Sequence, residues 1–521
     1  MNFNRREFVR FTAAGVSGCF LPDCLQAAKP PIANPASHLD LGWTNALSWD
    51  QVLDVTTVSG NGRYWDGRLK KAQEMLVTRG GGVVYFPAGT YHFQDHIHLK
   101  DGVVLRGADP DGVTKAQDKR YRVATRFEFP QYWPTFFGRG TPIDTAFKGI
   151  YLENPADGAN CGVVNLEINR GHIHLAEDEE HRCGANRIIY GCVLRNAAVA
   201  DPNIPNDKVN QHRWQRFTAR HHAAIDVKAS QNILVANNRL PESGDDNFHM
   251  DDFLLKPTRG GPDRFDGVVF DYDNRPGIYV CHYCIGGAGG SGNDGTPETH
   301  PWGFRSGITI CDNYVFNTGR TAIGFTGDGT VCANNVVRFA KDVWRPTTTG
   351  DAATSGSSTN DNRAVEMRGW RWTVDGNDYV VYRNWASDHR YLINDGEGLM
   401  HEDHCNSAIR DSRLINNRGN SYLSIYKCGS IDGLLIENND ISTPGGIDDI
   451  YVVADRNSGR QPCRNVTIAD NTTRSNGIRI AGAPASGNAI RDNRHIGGQG
   501  TLHNLAGAEL SGNQGYRVEA S

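Results

Sequence analysis

One eight-residue stretch concentrates side chains that can do acid–base or metal chemistry. GEGLMHED, residues 396–403, contains three carboxylates and one histidine. Carboxylates bind divalent cations, and carboxylates and imidazoles transfer protons in enzymes. These residues can act on one ligand only if their side chains share a face of the local structure, so the elements that carry them have to be derived first.

A short pattern recurs along the chain, in which alternating apolar residues are followed by two polar residues, usually Asn or Asp. It reads NILVANNRL, ITICDNYVF, TVCANNVVRF, LLIENNDIS, VTIADNTT and AIRDNRH. The second polar residues align at Asn313, Asn335, Asn384, Ser412, Asn439, Asn471 and Asn493. Two of the intervals are 22 residues, which suits one coil of a parallel β-solenoid. Asparagine tolerates a left-handed backbone and can hydrogen-bond along such a stack.

Each unit has a second candidate strand ahead of this pattern. The segments are AAIDVK, DNFHMD, TAIGFT, RAVEMR, EGLMHE, SYLSIY and NGIRIA. Period-two alternation predicts that their apolar residues point inward. The predicted inward pairs are Ile225/Val227, Phe248/Met250, Ile323/Phe325, Val365/Met367 and Leu423/Ile425. In GEGLMHED the same register turns His401 inward and Glu402 outward.

Two outward columns follow from this register. The first is Asp226, His249, Gly324, Glu366, Met400 and Ser424, and the second is Lys228, Asp251, Thr326, Arg368, Glu402 and Tyr426. Lys228 is then one rung from Asp251, and Arg368 is one rung from Glu402, so simple cross-strand ion pairs are one explanation. Because aromatic and ionic side chains share this face, with Trp370 and Trp372 nearby, the columns favour a sugar-binding groove.

The segment GRLKKAQEMLVTRGGGVVYFPAGTYHFQDHIHLKDGVVLRGA predicts a short amphipathic helix and then strands separated by Gly-rich turns. It resembles the opening of the right-handed parallel β-helix superfamily of pectate lyases and polygalacturonases. The resemblance implies an all-β fold with a short N-terminal helix that covers the open edge of the first coil. We expect one such domain at 52–521, with loop insertions near 285–302 and 345–363.

The resemblance implies an enzyme that binds an acidic polysaccharide along one sheet, and two chemistries fit. In a lyase, a base removes the proton beside a uronate carboxylate and a cation offsets the developing charge; the candidates are Lys228, His249, Arg368 and Tyr426. In an inverting hydrolase, two carboxyl groups flank the bond. Glu366 and Glu402 are placed about 8 Å apart by the predicted register, inside the window of about 6.5–9.5 Å.

We favour β-elimination over inverting hydrolysis. An epimerase and a non-catalytic polysaccharide-binding solenoid are further alternatives. The substrate-binding candidates are Asp226, Asp251, Trp370, Trp372, Arg390 and Lys427.

Calcium is the cofactor that the resemblance implies. AAIDVKASQNILVANNRLPESGDD is similar to a polygalacturonase stretch in which Asp245 and Asp246 match an aspartate pair, although Ala223 stands at the aspartate position of the first motif. The GEGLMHED region is similar to the calcium-and-lysine stretch of chondroitinase B-like and alginate lyases. There Glu397 matches a calcium-ligand position, and Glu402 replaces the lysine.

The N-terminus predicts export. Arg5 and Arg6 precede Phe8 and a modestly apolar stretch, which resembles a twin-arginine signal over 1–30, followed by a linker at 31–51. VSGC at 16–19 fits a lipoprotein cleavage box, so Cys19 is a candidate lipid anchor. We expect a periplasmic, cell-surface or secreted protein. A net charge of −5 and a pI near 6.4 give no argument for a nucleic-acid partner.

Overall fold

A computed structural model describes most of the chain. The described ranges are 32–130, 148–154, 158–169, 171–175, 184–195, 223–227, 231–241, 283–288, 306–316, 321–338, 362–380, 390–395, 408–425, 429–443, 448–455 and 459–520.

Parallel strands stack into three long sheets, and successive coils contribute strands to each sheet in turn. Sheet A has 15 strands, sheet B has 12 and sheet C has 13. All strand pairs in the described ranges are parallel; one example is Ile173 of one coil in register with Ile225 of the next. This is the parallel β-helix that the repeat and the resemblance predicted.

The strands of sheet A are Val52–Asp54, Gly82–Phe86, Val103–Gly107, Cys161–Val164, Ala185–Tyr190, Gln231–Ala236, Ser306–Cys311, Val331–Ala333, Thr373–Asp375, Ala408–Ile415, Ser430–Glu437, Pro462–Ala469, Ala483–Pro484, Ala489–Arg491 and Glu509–Ser511. The strands of sheet B are Gly89–His92, Thr125–Glu128, Glu167–Asn169, Val193–Arg195, Arg239–Pro241, Tyr314–Phe316, Val336–Arg338, Asp378–Val380, Arg418–Gly419, Asp440–Ile441, Thr472–Thr473 and Arg494–His495. The strands of sheet C are Ile97–Leu99, Gly149–Leu152, His172–Leu175, Ala223–Val227, Tyr283–Ala288, Thr321–Asp328, Asn362–Trp370, Arg390–Asp395, Tyr422–Ile425, Ile450–Val453, Gly477–Ala481, Gly500–Leu505 and Tyr516–Ala520.

Inward residues of the three sheets form one continuous apolar core. The predicted inward residues whose side chains are described all belong to it: Ile225, Val227, Ile323, Phe325, Val365, Leu423 and Ile425. Phe248 and Met250 lie outside the described residues. The alternation rule therefore identified the buried face wherever it was applied to a true strand.

The Asn/Asp–Asn pattern marks the corner between sheets A and B. The first residue of the pair has a left-handed backbone, as in Asp312 with φ 57°. The second is a buried asparagine whose side-chain oxygen accepts from the backbone and side-chain N–H groups of the equivalent residue one coil earlier, at 2.9–3.1 Å. The members of this asparagine ladder are Asn238, Asn313, Asn335, Asn377, Asn417, Asn439, Asn471, Asn493 and Asn513.

Two alignment marks on this ladder need correction. The structure uses Asn377 and Asn417 where the sequence alignment placed Asn384 and Ser412. The left-handed residue before Asn377 is Gly376, with φ 65°, so the pair reads Gly–Asn and escapes the polar pattern. Ser412 lies within the strand Ala408–Ile415.

A single described α-helix, Asp66–Val77, covers the first coil. Leu69, Ala72 and Leu76 are its buried apolar residues and join the solenoid core. Gln73 Nε2 donates to the His98 carbonyl at 3.0 Å, and its Oε1 accepts from Lys100 N–H at 3.0 Å. The side chain thus satisfies the free edge of the first strand of sheet C, which confirms the predicted capping helix.

The segment expected to be a linker packs on the outer face of sheet A. Short 3₁₀ helices occur at Ser37–Leu39 and Gly42–Ala46, with a third at Val55–Thr57. Ala36, Leu47 and Trp49 are buried against that sheet. No helix of the described residues is long and apolar enough to cross a membrane.

The structure corrects two predicted rungs of sheet C. Strand 223–227 pairs directly with 283–288, and strand 362–370 pairs directly with 390–395. These pairings leave no place for 246–251 or 397–402 as the next rung, and both segments lie outside the described residues. The predicted start of the insertion at 285–302 is also too early, because Tyr283–Ala288 is a strand.

Candidate active site

Four consecutive rungs at the N-terminal end of sheet C carry aligned polar side chains. Their sequences at matching positions are HIHL at 96–99, GIYL at 149–152, HIHL at 172–175 and AIDV at 224–227. The isoleucines and the following apolar residues point into the core. The outward column that results is His98, Tyr151, His174 and Asp226.

Two close pairs form within this cluster. Tyr151 Oη lies 2.6 Å from His172 Nε2, and His174 Nδ1 lies 3.2 Å from Asp226 Oδ2. The Tyr151 ring is 5.2 Å from each of the two histidine rings and 4.7 Å from His96, measured between centroids. We call His96, Tyr151, His172, His174 and Asp226 the His/Tyr cluster.

Burial differs sharply across the His/Tyr cluster. His172 is 1% exposed and Asp226 is 2% exposed, whereas the His174 side chain retains 29%. Tyr151 is half-buried. The buried members can therefore orient the accessible ones, since a carboxylate or imidazole that accepts a hydrogen bond fixes the ring that donates it.

Gly149 makes room for the Tyr151–His172 contact. It is the register partner of His172 on the neighbouring strand. A β-carbon at this position would lie 2.5 Å from the His172 carbonyl oxygen and 3.0 Å from its ring. Only glycine therefore leaves space for the imidazole at the position from which it reaches the tyrosine hydroxyl.

Two lysines flank the His/Tyr cluster, and each is paired. Lys148 Nζ contacts Asp95 Oδ1 at 2.7 Å, and Lys100 Nζ contacts Glu153 at 2.6 Å. The Lys148 hydrogen bond and the His96 backbone N–H lower the pKa of Asp95. A cavity of about 280 Å³ opens beside these pairs, between the capping helix and His96 and His98.

The His/Tyr cluster has the composition of an acid–base site. A phenol bonded to an imidazole can pass its proton to the ring, and a histidine held by a carboxylate can donate or accept a second proton. The two accessible groups, Tyr151 and His174, lie on neighbouring strands about 4.8 Å apart. One substrate unit lying across both rungs can meet both groups.

Most of the sequence-predicted site residues lie outside the described residues: Lys228, His249, Asp251, Glu402, Tyr426, Lys427, Asp245, Asp246 and Glu397. Their assigned roles stay predictions. Three others lie in sheet C strands, where only their register is described: Glu366 pairs with Gly324 and Asn394, Arg368 with Thr326, and Arg390 with Asn362.

The expected neighbours of two candidates change. Arg390–Asp395 is the strand that pairs with Asn362–Trp370, in the place that the sequence assigned to the rung of Glu402. The predicted pairings of Arg368 with Glu402 and of Lys228 with Asp251 are therefore replaced. Asp226 lies in the outward column as predicted, yet it is buried and contacts His174 of the preceding rung.

Neither tryptophan offers an open ring to a sugar. Trp372 is 0% exposed and belongs to the core, because it follows the left-handed Arg371 at a corner of the coil. Trp370 is 7% exposed, and the Arg410 guanidinium lies 3.9 Å from its ring centroid. The expectation of stacking platforms at these two positions is corrected to core packing.

No group of three or more His, Cys, Asp or Glu side chains in the described ranges is arranged to hold a metal ion. The predicted calcium positions Asp245, Asp246 and Glu397 are not among those ranges. The His/Tyr cluster offers three imidazoles, one phenol and one carboxylate. This donor set is also unlike the oxygen-rich shell that calcium prefers.

Sequence reasoning missed His96, Tyr151, His172 and His174. A signal was present, because the tetrapeptide HIHL occurs twice and GIYL lies between the two copies. The predicted outward column begins at Asp226 and does not include the first coils. Register, rather than residue type, was the missing information.

A larger cavity, of about 670 Å³, lies on the outer face of sheet A. Its polar groups bond to one another: Arg106 donates to Asp109 and to the Ala33 carbonyl, and Asn165 donates to Asp109. These contacts join the 32–50 segment to the sheet. They place no acid–base pair in the cavity.

Comparisons with known proteins extend to fold alone. No protein-family model and no curated protein matches the chain. Similar solved structures include the A-module of the Azotobacter vinelandii mannuronan C-5 epimerase AlgE6, with 11% identity, 89% of this chain and 99% of that one covered, and a TM-score of 0.41. The catalytic unit of a GH87 α-1,3-glucanase from Streptomyces thermodiastaticus is 12% identical. The match covers 89% of this chain and 69% of that one, with a TM-score of 0.43. The Streptococcus pneumoniae surface protein and adhesin PfbA has 11% identity, 90% and 98% coverage, and a TM-score of 0.39.

Proposed function

We propose that this protein is a carbohydrate-active enzyme that cleaves an acidic, uronate-containing polysaccharide by β-elimination. The observation that carries the proposal is the 2.6 Å contact between Tyr151 Oη and His172 Nε2 beside the His174–Asp226 pair. Both pairs lie on the same face of sheet C, where two accessible proton-transfer groups occupy adjacent rungs.

The reaction needs one base and one acid. Tyr151 removes the proton from the carbon beside the uronate carboxylate, and its own hydroxyl proton passes to His172 Nε2. The bond from the neighbouring carbon to the glycosidic oxygen breaks, a carbon–carbon double bond forms, and His174 protonates the departing oxygen. Asp226 positions His174 for this transfer, since its Oδ2 contacts the other ring nitrogen.

The spacing of carboxylates favours elimination over inverting hydrolysis. In sheet C, Glu366 is three strands away from Asp226, or about 14 Å at about 4.8 Å per rung. Inversion requires two carboxyl groups about 6.5–9.5 Å apart. The pair predicted to meet this requirement, Glu366 and Glu402, depended on a rung at 397–402, whereas the described strand that pairs with that of Glu366 is Arg390–Asp395.

A panel of uronate-containing polymers tests the proposal. We expect reducing ends and the ultraviolet absorbance of an unsaturated sugar to rise together. Reducing ends without that absorbance would identify a hydrolase. Polymer retained on the protein without any change in chain length or sugar configuration would identify a binding solenoid and overturn the enzymatic proposal.

Calcium dependence and export are proposed on the sequence alone. Asp245, Asp246 and Glu397 are the proposed calcium ligands, and no step of the reaction above is assigned to the ion. Treatment with a chelator, followed by calcium titration, should lower and restore activity. Replacing Arg5 and Arg6 with lysines should leave the full-length chain in the cytoplasm, as shown by cell fractionation.

A further inference from the structure

The His/Tyr cluster lies at a closed end of sheet C. Ile97–Leu99 is the terminal strand of that sheet in the described part of the chain, and its partner is Gly149–Leu152. Gln73 of the capping helix occupies the edge where a further strand would pair, through its two hydrogen bonds to the His98 carbonyl and the Lys100 N–H. Tyr151 is therefore one rung from the end of the sheet.

The cavity of about 280 Å³ fills the corner between the helix and this last strand. Asp66, Gly67, Lys70 and Gln73 form its helical wall, and His96 and His98 form the side toward the sheet. Its volume is at the low end of the range of about 300–1,000 Å³ for small-molecule sites. That volume suits one sugar ring and is too small for a continuing chain.

The cavity is continuous with the His/Tyr cluster. The His96 ring packs edge-on against the Tyr151 ring at 4.7 Å, and His98 is the register partner of Tyr151. A ring held between the helix and His96 would therefore place its linkage to the next sugar above Tyr151. The open direction for the rest of the polymer runs toward His174 and the later rungs.

Lys70 supplies a cation that the fold leaves available at this wall. It is exposed, and it makes no ion pair with a described residue. Lys100 and Lys148, by contrast, are already neutralised by Glu153 and Asp95. A carboxylate on the enclosed sugar can pair with the Lys70 ammonium at no cost to an existing contact.

We infer that this cavity is a subsite for the terminal uronate of a polysaccharide and that the enzyme acts from a chain end. The inference rests on the proposed function and deepens it, because it specifies where along the polymer the reaction takes place. A groove that is closed one rung beyond the reacting group cannot accommodate a bond in the interior of a long chain.

Product size at early times tests the inference. We expect one short product from the first minutes while the remaining polymer stays long. A ladder of many lengths would overturn the chain-end inference and leave the proposed function intact. If the polymer is isomerised without cleavage, conversion confined to the terminal residue supports the inference, and interior conversion overturns it. No turnover of any uronate polymer would overturn both proposals.

A pair of neighbouring lysines provides a matched comparison. Lys70→Ala should raise KM for acidic oligosaccharides about fivefold, the effect of losing an exposed ion pair worth about 1 kcal/mol, while kcat is retained. Lys71→Ala is the control, since Lys71 Nζ bonds to Ser59 Oγ at 2.8 Å and does not line the cavity. Equal KM values for the two variants would remove Lys70 from the proposed subsite.

Discussion

Tyr151 and His172 lie on neighbouring strands of sheet C, and the tyrosine hydroxyl is 2.6 Å from the imidazole Nε2. The contact depends on Gly149, the register partner of His172, whose missing side chain leaves the space that the imidazole occupies. Neither residue was among the site candidates predicted from the sequence. Together they form a proton-transfer pair on an accessible face.

Removing the hydroxyl should abolish most of the activity without unfolding the protein. We expect Tyr151→Phe to lower kcat about 10²–10⁴-fold, the usual contribution of a general acid or base. The melting temperature should change little, because the ring and its packing remain. Tyr451→Phe is a suitable control, since Tyr451 lies in register with Ser424 and Arg479 on later rungs of the same sheet. Similar activity in both variants would contradict the assignment.

Adding one methyl group beside His172 should be as damaging as removing the histidine. Gly149→Ala places a β-carbon 2.5 Å from a backbone oxygen that cannot easily move, so we expect a loss of about 1–3 kcal/mol in the free energy of unfolding together with loss of turnover. Gly42→Ala, where no atom lies within 4 Å of the added carbon, should be neutral. Denaturant unfolding and initial rates measure both effects.

The asparagine ladder should be sensitive to a single gap. Asn417 is 0% exposed, accepts from Asn377 N–H and Nδ2, and donates to the Val374 carbonyl and Asn439 Oδ1. Asn417→Ala leaves buried donors and an acceptor without partners, which should cost about 2–4 kcal/mol. Asn513→Ala, at the half-buried last step of the ladder, should cost less. Equal losses by denaturant unfolding would show that burial does not set the cost.

Acid should weaken the ion-pair ladder on sheet B. Burial raises the pKa of Asp378, but hydrogen bonds from Arg338 and Arg418 outweigh burial, and the net pKa is lowered. A carboxylate with a lowered folded-state pKa stabilises the protein above its unfolded pKa of about 4, and this contribution is lost as pH falls through the folded value.

Asp378→Asn should therefore lower the melting temperature at neutral pH, and the difference from the unmodified protein should shrink as pH falls below the unfolded pKa and through the lowered folded one. Asp432→Asn provides the comparison, because the Asp432 side chain is more exposed than that of Asp378 and is paired with a single arginine, Arg464. A temperature difference for Asp378→Asn that does not depend on pH would contradict this prediction.

The described cysteines should be unreactive in the folded protein. Cys161, Cys192, Cys311, Cys332 and Cys463 are buried, and burial raises the pKa of Cys192 and of Cys332 to about 12. Since the thiolate is the reactive form, we expect no alkylation of these five by iodoacetamide near pH 8 and complete alkylation in urea. Peptide mass spectrometry reads each site, and labelling of native Cys332 would contradict the burial.

The fold could be predicted because its signals are local. Alternation predicts that Ile323 and Phe325 point into the core, whichever strand lies beside theirs. The Asp312–Asn313 pair marks a corner through its own backbone and side-chain chemistry. The capping helix follows from the amphipathic segment at 66–77 in the same way.

The candidate site could be predicted only in part. The outward column was anticipated at Asp226 and Glu366, both of which occupy it in the pairing of sheet C. Of the rungs predicted between them, TAIGFT is a strand of sheet C, whereas the rung placed at 246–251 was wrong, because a solenoid accepts long insertions between strands that pair directly. Strand 223–227 pairs with 283–288. Segments of the intervening chain show the same alternation of apolar and polar residues, so the sequence pattern alone cannot tell them from the true rung.

The sequence by itself determined the parallel β-helix, its inward residues and the corner at which asparagines stack, since each depends on residues within one coil. The tertiary structure decided which side chains meet. Arg390–Asp395 is the described strand beside Asn362–Trp370, in the place predicted for GEGLMHED, and the groups that come together in the described ranges are Tyr151, His172, His174 and Asp226. Their contacts depend on the register between coils. The hydrogen bonding of sheet C sets that register, and insertions of variable length make it hard to predict from the sequence.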